Sequence, residues 1–171
     1  MMGKPNIVLT GFMGTGKTTI GKLLAESLGY AFIDTDERIE RRAGKTIPEI
    51  FEEEGEEAFR EMEAALAREL AERQGVVIAT GGRMMLDPGN AAVLSRTGHV
   101  FCLVAAPEEI LERIVQDTAT RRPLLAVADP MERIRSLLRQ RQHGYRRFPQ
   151  VVTSGIPPEA VVDILHTMLK R

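Results

Sequence analysis

Short apolar runs alternate along this chain with longer stretches of helical period. The runs are "NIVLT" at 6–10, "AFID" at 31–34, "VVIAT" at 76–80, "VFCLV" at 100–104 and "QVVT" at 150–153. Each is short, apolar or β-branched, which predicts a strand. Between the first two, Ile20, Leu23, Leu24 and Leu28 share one helical face, and Gly29 follows as a left-handed cap. Thr46 and Glu49 form a capping box ahead of "IFEEEGEEAFREMEAALARELAER", where Phe59, Met62, Leu66 and Leu70 make an apolar stripe. The acids from Glu52 to Glu57 then read as a solvated helix end. Asp129-Pro130 is another start signal, a cap followed by proline at the first helical position, leading into Met131, Ile134, Leu137 and Leu138. "PPEAVVDILHTMLK" predicts a closing helix. Strands alternating with helices predict an α/β fold, a parallel sheet with helices on both faces.

A length of 171 residues suits one domain, 1–171, and supports a core without disulfides or metal. A net charge of -1 and a pI near 6.3 argue against non-specific nucleic-acid binding, so the expected partner is small. Cys102 is the single cysteine and lies in an apolar run, so it reads as a buried hydrophobe in a reducing compartment. No apolar stretch reaches the length of a membrane span, and the expectation is a cytoplasmic monomer. The charge is unevenly spread: residues 121–148 hold eight arginines against Asp129 and Glu132. A solvated helix face explains such a block unless a phosphate ligand is established.

"GFMGTGKT", Gly11 to Thr18, supplies that ligand. It matches G-x-x-x-x-G-K-[ST] between a predicted strand and a predicted helix, the context the motif requires. The glycines let backbone N–H groups face phosphate oxygens, and the following helix adds its positive end. Gly14, Thr15, Gly16, Lys17, Thr18 and Thr19 are the candidate nucleotide-binding residues, with Lys17 reaching the β and γ phosphates and Thr18 the Mg²⁺. An Asn-Lys-x-Asp base reader and an Asp-x-x-Gly switch are both absent, which favours ATP over GTP. Asp34 and Asp36 follow the second strand in "FIDTDE". One carboxylate near the metal and one near an acceptor hydroxyl suits phosphoryl transfer. The alternative role for Asp36 is to cap the helix "DERIERRA".

Taken together, "GFMGTGKTTIG", "FIDTDERIE", "IPEIFEEEGEEAFREME", "ATGG", "RRPLL" and "RQHGYR" resemble shikimate kinase in type, order and spacing, over essentially the whole chain. That family phosphorylates the 3-hydroxyl of shikimate with ATP, in aromatic amino-acid biosynthesis. The resemblance implies a three-layer P-loop kinase fold with a central five-stranded parallel sheet, a substrate-binding helical region at about 34–62 and a lid at about 117–128. It implies that Asp36 orients or deprotonates the attacking hydroxyl and that Asp34 supports Mg²⁺ through water. Arg60 and Arg141 would clamp the substrate carboxylate, while Gly81 and Gly82 offer backbone to it. Arg122 in the lid and Arg113 on the preceding helix would serve the nucleotide, Arg122 also serving catalysis. Residue chemistry agrees: Arg60 and Glu63 can share a helical face, as can Arg141 and Tyr145, and the guanidinium fork suits a carboxylate. His99, His143 and His166 match no role and read as structural.

"VVIATGGRMML" holds the departure, since the family usually has a third glycine where this chain has Arg83. A need for positive φ there would strain a non-glycine residue. Three readings stay open for Arg83: it turns to solvent and pairs with Asp87, it supplements Arg60 and Arg141, or it marks a different hydroxy acid or polyol as acceptor. A nucleotide-binding module without catalysis is the rival class.

Overall fold

The computed structural model describes residues 3–117 and 126–171. Five strands, β1 (Asn6–Thr10), β2 (Ala31–Asp34), β3 (Val76–Ala79), β4 (Gly98–Val104) and β5 (Gln150–Val152), form one parallel sheet in the order β2-β3-β1-β4-β5. All four pairings are parallel, with Val8 beside Ile78 and Val100, and Ile33 beside Ile78. The central strands are apolar on both faces because helices cover both. Ile7, Leu9 and Val77 point into one core with Leu24 and Leu165; Val8, Ile78 and Val100 point into the other with Leu66 and Leu94.

Helices α1 (Lys17–Leu28) and α8 (Pro158–Leu169) bury Ile20, Leu24, Val161 and Leu165 on the first face. The second face carries α2 (Thr35–Ala43), α3 (Ile47–Glu53), α4 (Glu56–Ala71) and α5 (Pro88–Ser95), the last preceded by a 3-10 turn at Met84–Leu86. Helices α6 (Pro107–Gln116) and α7 (Pro130–Tyr145) enclose a third cluster built on Phe12, Cys102, Ile110 and Ile134. Cys102 is 1% exposed, and burial pushes its thiol up to about 11, as a buried hydrophobe requires.

Local chemistry sets several boundaries. Thr46 and Glu49 make the reciprocal capping box at α3, and Asp129 caps α7 ahead of Pro130; such caps contribute about 1 kcal/mol each. The expected stripe of Phe59, Met62, Leu66 and Leu70 lies on α4 and faces the core, but the segment that begins at Ile50 is two helices and not one. Gly55 adopts φ 90°, ends α3 and lets α4 start in a new direction. Helix α5 has its own Asp-Pro start: Asp87 accepts from Asn90 N, and Pro88 is the first helical residue.

Strand order reverses at β1, whose neighbours β3 and β4 are reached by connections running opposite ways across the sheet. Ligands in such sheets bind at the carboxyl end of the strands at this switch point. The loop after β1 opens there.

Candidate active site

The loop from Gly11 to Gly16 turns on glycines at φ 134°, 73° and 99°, at residues 11, 14 and 16. A β-carbon on Gly11 would stand 2.4 Å from the Leu103 carbonyl oxygen, so β4 presses directly on the loop. Thr15 is buried and its hydroxyl donates to the Phe12 carbonyl at 2.7 Å. Helix α1 begins at Lys17, directing its positive end into the loop. Lys17 Nζ donates to the carbonyls of Gly11 and Phe12 at 2.7 and 2.8 Å, folding the ammonium over the cradle. Thr18 and Thr19 line the same cleft, which measures about 840 Å³.

Strand β2 stops at Asp34, which caps α2 through Oδ1 with the N–H groups of Asp36 and Glu37. The cap is therefore Asp34 and not Asp36. The other Asp34 oxygen accepts from Thr18 Oγ1 at 3.1 Å, joining the start of α1 to the end of β2. One hydroxyl and one carboxylate beside a phosphate loop form the sparse donor set that suits Mg²⁺, an ion that keeps waters and shares phosphate oxygens.

Asp36, freed from capping, turns into the cleft from the first turn of α2, and its Oδ1 is buried without a hydrogen-bond partner. Burial, then the charges of Asp34 and Glu63, raise its pKa from 3.8 to about 6, against the pull of Lys17. A carboxylate in this state is ionised at neutral pH and takes up a proton more readily than an ordinary aspartate, as a general base requires. The adjoining Thr35 hydroxyl accepts from Gly81 N at 2.9 Å and fixes the end of β3 against α2.

Arg60 enters from α4, as its spacing from Glu63 implies. Its Nη1 donates to Glu63 Oε2 at 2.7 Å and its Nη2 to Glu56 Oε1 at 3.1 Å, with the guanidinium 5.1 Å from the Phe59 ring centroid. Glu63 is 2% exposed, and burial raises its pKa against the pull of Arg60 and Arg83. Arg141 comes from α7 and lies over Phe12, 5.3 Å from the ring centroid. One turn on, the Tyr145 hydroxyl donates to the Gly82 carbonyl. Gly81, Gly82, Arg60 and Arg141 thus share the cleft with Asp36.

Arg83 corrects two expectations. Its φ is -110°, and no described non-glycine residue has positive φ, so the position imposes no left-handed strain. Its partner is Glu56 at 3.1 Å rather than Asp87, which caps α5. Glu56 is accordingly more than part of a solvated helix end, since one of its oxygens accepts from two arginines.

Arg113 on α6 ties the loop to the far edge of the sheet. Nη1 donates to the Gly14 carbonyl at 2.9 Å, Nη2 to the Thr153 carbonyl at 3.3 Å and to Glu109 at 3.0 Å. Thr153 Oγ1 donates in turn to the Thr15 carbonyl at 2.9 Å. Arg122, with its neighbours Arg121 and Pro123 and most of the expected lid, lies outside the described residues. His166 meets Ser27 at 2.8 Å between α8 and α1, far from this chemistry.

Sequence reasoning misses Glu56, Thr35 and Thr153. Glu56 had a signal in its i,i+4 spacing to Arg60, whereas the two threonines act through contacts across 46 and 138 residues.

Comparison with known proteins gives a consistent match. The shikimate kinase family model matches residues 13–170. A shikimate kinase of Caldanaerobacter subterraneus subsp. tengcongensis is 50% identical over 82% of this chain and 81% of its own. One from Thermus thermophilus is 47% identical over 96% of this chain and 90% of its own. Among solved structures, the shikimate kinase of Acinetobacter baumannii in complex with shikimate superposes with a TM-score of 0.86 and 40% identity, covering 98% of this chain and 94% of that one.

Proposed function

The chain belongs to the shikimate kinase family, and on that premise we propose that it transfers the γ-phosphoryl group of ATP to the 3-hydroxyl of shikimate. The observation that carries the residue assignment is Asp36 Oδ1, buried and unpartnered in a cleft that also holds Lys17, Arg60 and Arg141. A buried carboxylate without a partner is costly unless a ligand completes it. An acceptor hydroxyl does so.

In the proposed reaction the loop from Gly14 to Thr19 holds the ATP phosphates, and Lys17 swings from the loop carbonyls to the β and γ oxygens. Arg60 and Arg141 take the substrate carboxylate and set the ring over Gly81 and Gly82. The 3-hydroxyl gives its proton to Asp36 as its oxygen bonds to the γ phosphorus; the bond from that phosphorus to the β,γ-bridging oxygen breaks, and ADP leaves. Thr18, and Asp34 through water, are the residues that would hold Mg²⁺, which supplies charge neutralisation on the phosphates. Arg113 serves the nucleotide by holding Gly14, and Arg122 acts from a lid at 117–128. The region at 34–62 serves as the substrate-binding part of one domain, 1–171. Among the described residues no helix is long and apolar enough to cross a membrane; the proposed setting is the cytoplasm, as a monomer.

Release of ADP by the purified protein with Mg²⁺ tests the assignment on shikimate, quinate, gluconate and nucleoside monophosphates. Turnover that depends on shikimate and stops with EDTA is expected. Absence of shikimate-dependent ADP release overturns the proposal. The reading of a changed acceptor loses its motive, because Arg83 is paired with a carboxylate of the protein.

A further inference from the structure

One carboxylate oxygen joins two cleft arginines. Glu56 Oε1 accepts from Arg60 Nη2 and from Arg83 Nη1, each at 3.1 Å. Glu56 begins α4 just after the turn at Gly55 and shares that helix with Arg60, one turn on, while Arg83 leads into the 3-10 turn, so the acid links a cation of its own helix to one from a separate local structure. Arg60 Nη1 is meanwhile held by the buried Glu63.

This arrangement conflicts with the proposed clamp unless Glu56 can move. A substrate carboxylate that takes Nη2 of Arg60 meets a like charge already bonded there. Glu56 and Arg83 are each 52% exposed at the side chain, which leaves Glu56 free to turn, and the Arg83 fork has further donors to receive its second oxygen. Resting on the functional reading above, we infer that Arg83 is a positioning residue that draws Glu56 off Arg60 when the substrate carboxylate binds. Without Arg83, Glu56 has Arg60 as its sole described cationic partner and competes with the substrate for it. Arg83 thus acts on the first carboxylate clamp, through a second acid, and does not touch the substrate.

The test is a double-mutant cycle of Arg83→Ala and Glu56→Gln, read as KM for shikimate, KM for ATP, kcat and Tm. Arg83→Ala is expected to raise KM for shikimate about fivefold, with kcat changing less than twofold and KM for ATP unmoved. In the Glu56→Gln background the same change has no effect on KM for shikimate, because the competitor is gone. Arg83→Lys restores most of the loss. Shikimate methyl ester, bound without its carboxylate charge, is insensitive to Arg83→Ala when binding is measured by calorimetry. An Arg83→Ala penalty that persists in the Glu56→Gln background shows direct action on substrate and overturns the inference. So does a wild-type KM in Arg83→Ala. Both outcomes leave shikimate turnover intact and are thereby distinct from failure of the functional reading, in which the wild type itself releases no ADP and this inference falls with it.

Discussion

A β-carbon on Gly81 would lie 2.5 Å from Asp36 Oδ1 and 3.2 Å from Glu63 Oε1. Gly81 is thus required for space, since its φ lies outside the left-handed region. Gly81→Ala must push back the carboxylate assigned as base, and kcat is expected to fall about 100-fold, with a stability loss of about 1–3 kcal/mol. At Gly82 the nearest atom is Arg141 Nη1 at 3.4 Å, an ordinary contact. Gly82→Ala should fold normally and act on KM for shikimate. Steady-state kinetics and thermal melts of the two variants separate these outcomes.

Asp36→Asn is expected to lose activity by about 10²-fold or more, the contribution of a general base, and yet to melt higher. The sign follows from linkage. The native pKa of about 6 exceeds the ordinary 3.8, so the folded state binds the extra proton between these values. The contribution of this group to stability is present below about pH 4 and lost as pH rises through about 6. At about pH 8 the ionised group costs on the order of 3 kcal/mol, so the variant should gain about 8 °C in Tm. In the wild type the same pKa places the acid limb of kcat/KM near pH 6. A pH profile flat from about 5 to 8 contradicts the assignment.

Arg60→Ala strips a buried carboxylate of its closest cation. KM for shikimate is expected to rise about 100-fold through loss of a charged two-point contact. Stability should fall by about 2 kcal/mol, less than for a fully buried pair because the Arg60 side chain is 32% exposed. Burial already raises the pKa of Glu63. Removing Arg60 raises it further, so protonation relieves the defect at low pH. Denaturant melts should therefore show a larger loss at about pH 8 than at about pH 5.

Arg113→Ala removes the strap between Gly14 and Thr153. Its effect is expected on the nucleotide, with KM for ATP rising about tenfold and KM for shikimate unchanged. Equal rises in both constants would contradict a nucleotide-side role.

Features encoded by neighbouring residues were legible in the sequence. The Gly11–Thr18 loop, the Thr46–Glu49 box and the Asp129-Pro130 start each depend on spacing within a few positions, and the five strands are short apolar runs. Asp87-Pro88 carries the same kind of signal, a cap followed by proline at the first helical position. Features settled by packing were not legible. Asp36 leaves the capping role to Asp34 because β2 ends one residue before α2 begins. Arg83 chooses Glu56 over the sequence-adjacent Asp87 because α4 brings that acid across 27 residues.

The strap described at Thr153 also orders events in time. The phosphate loop is made from residues 11–16, yet two of its carbonyls are held by donors lying 99 and 138 positions later. Contacts that far apart close late in folding. A chain emerging from the ribosome therefore carries the loop sequence well before β5 but completes the ATP cradle only after β5 has been synthesised and docked. Tight nucleotide binding thereby requires a chain made at least as far as Thr153.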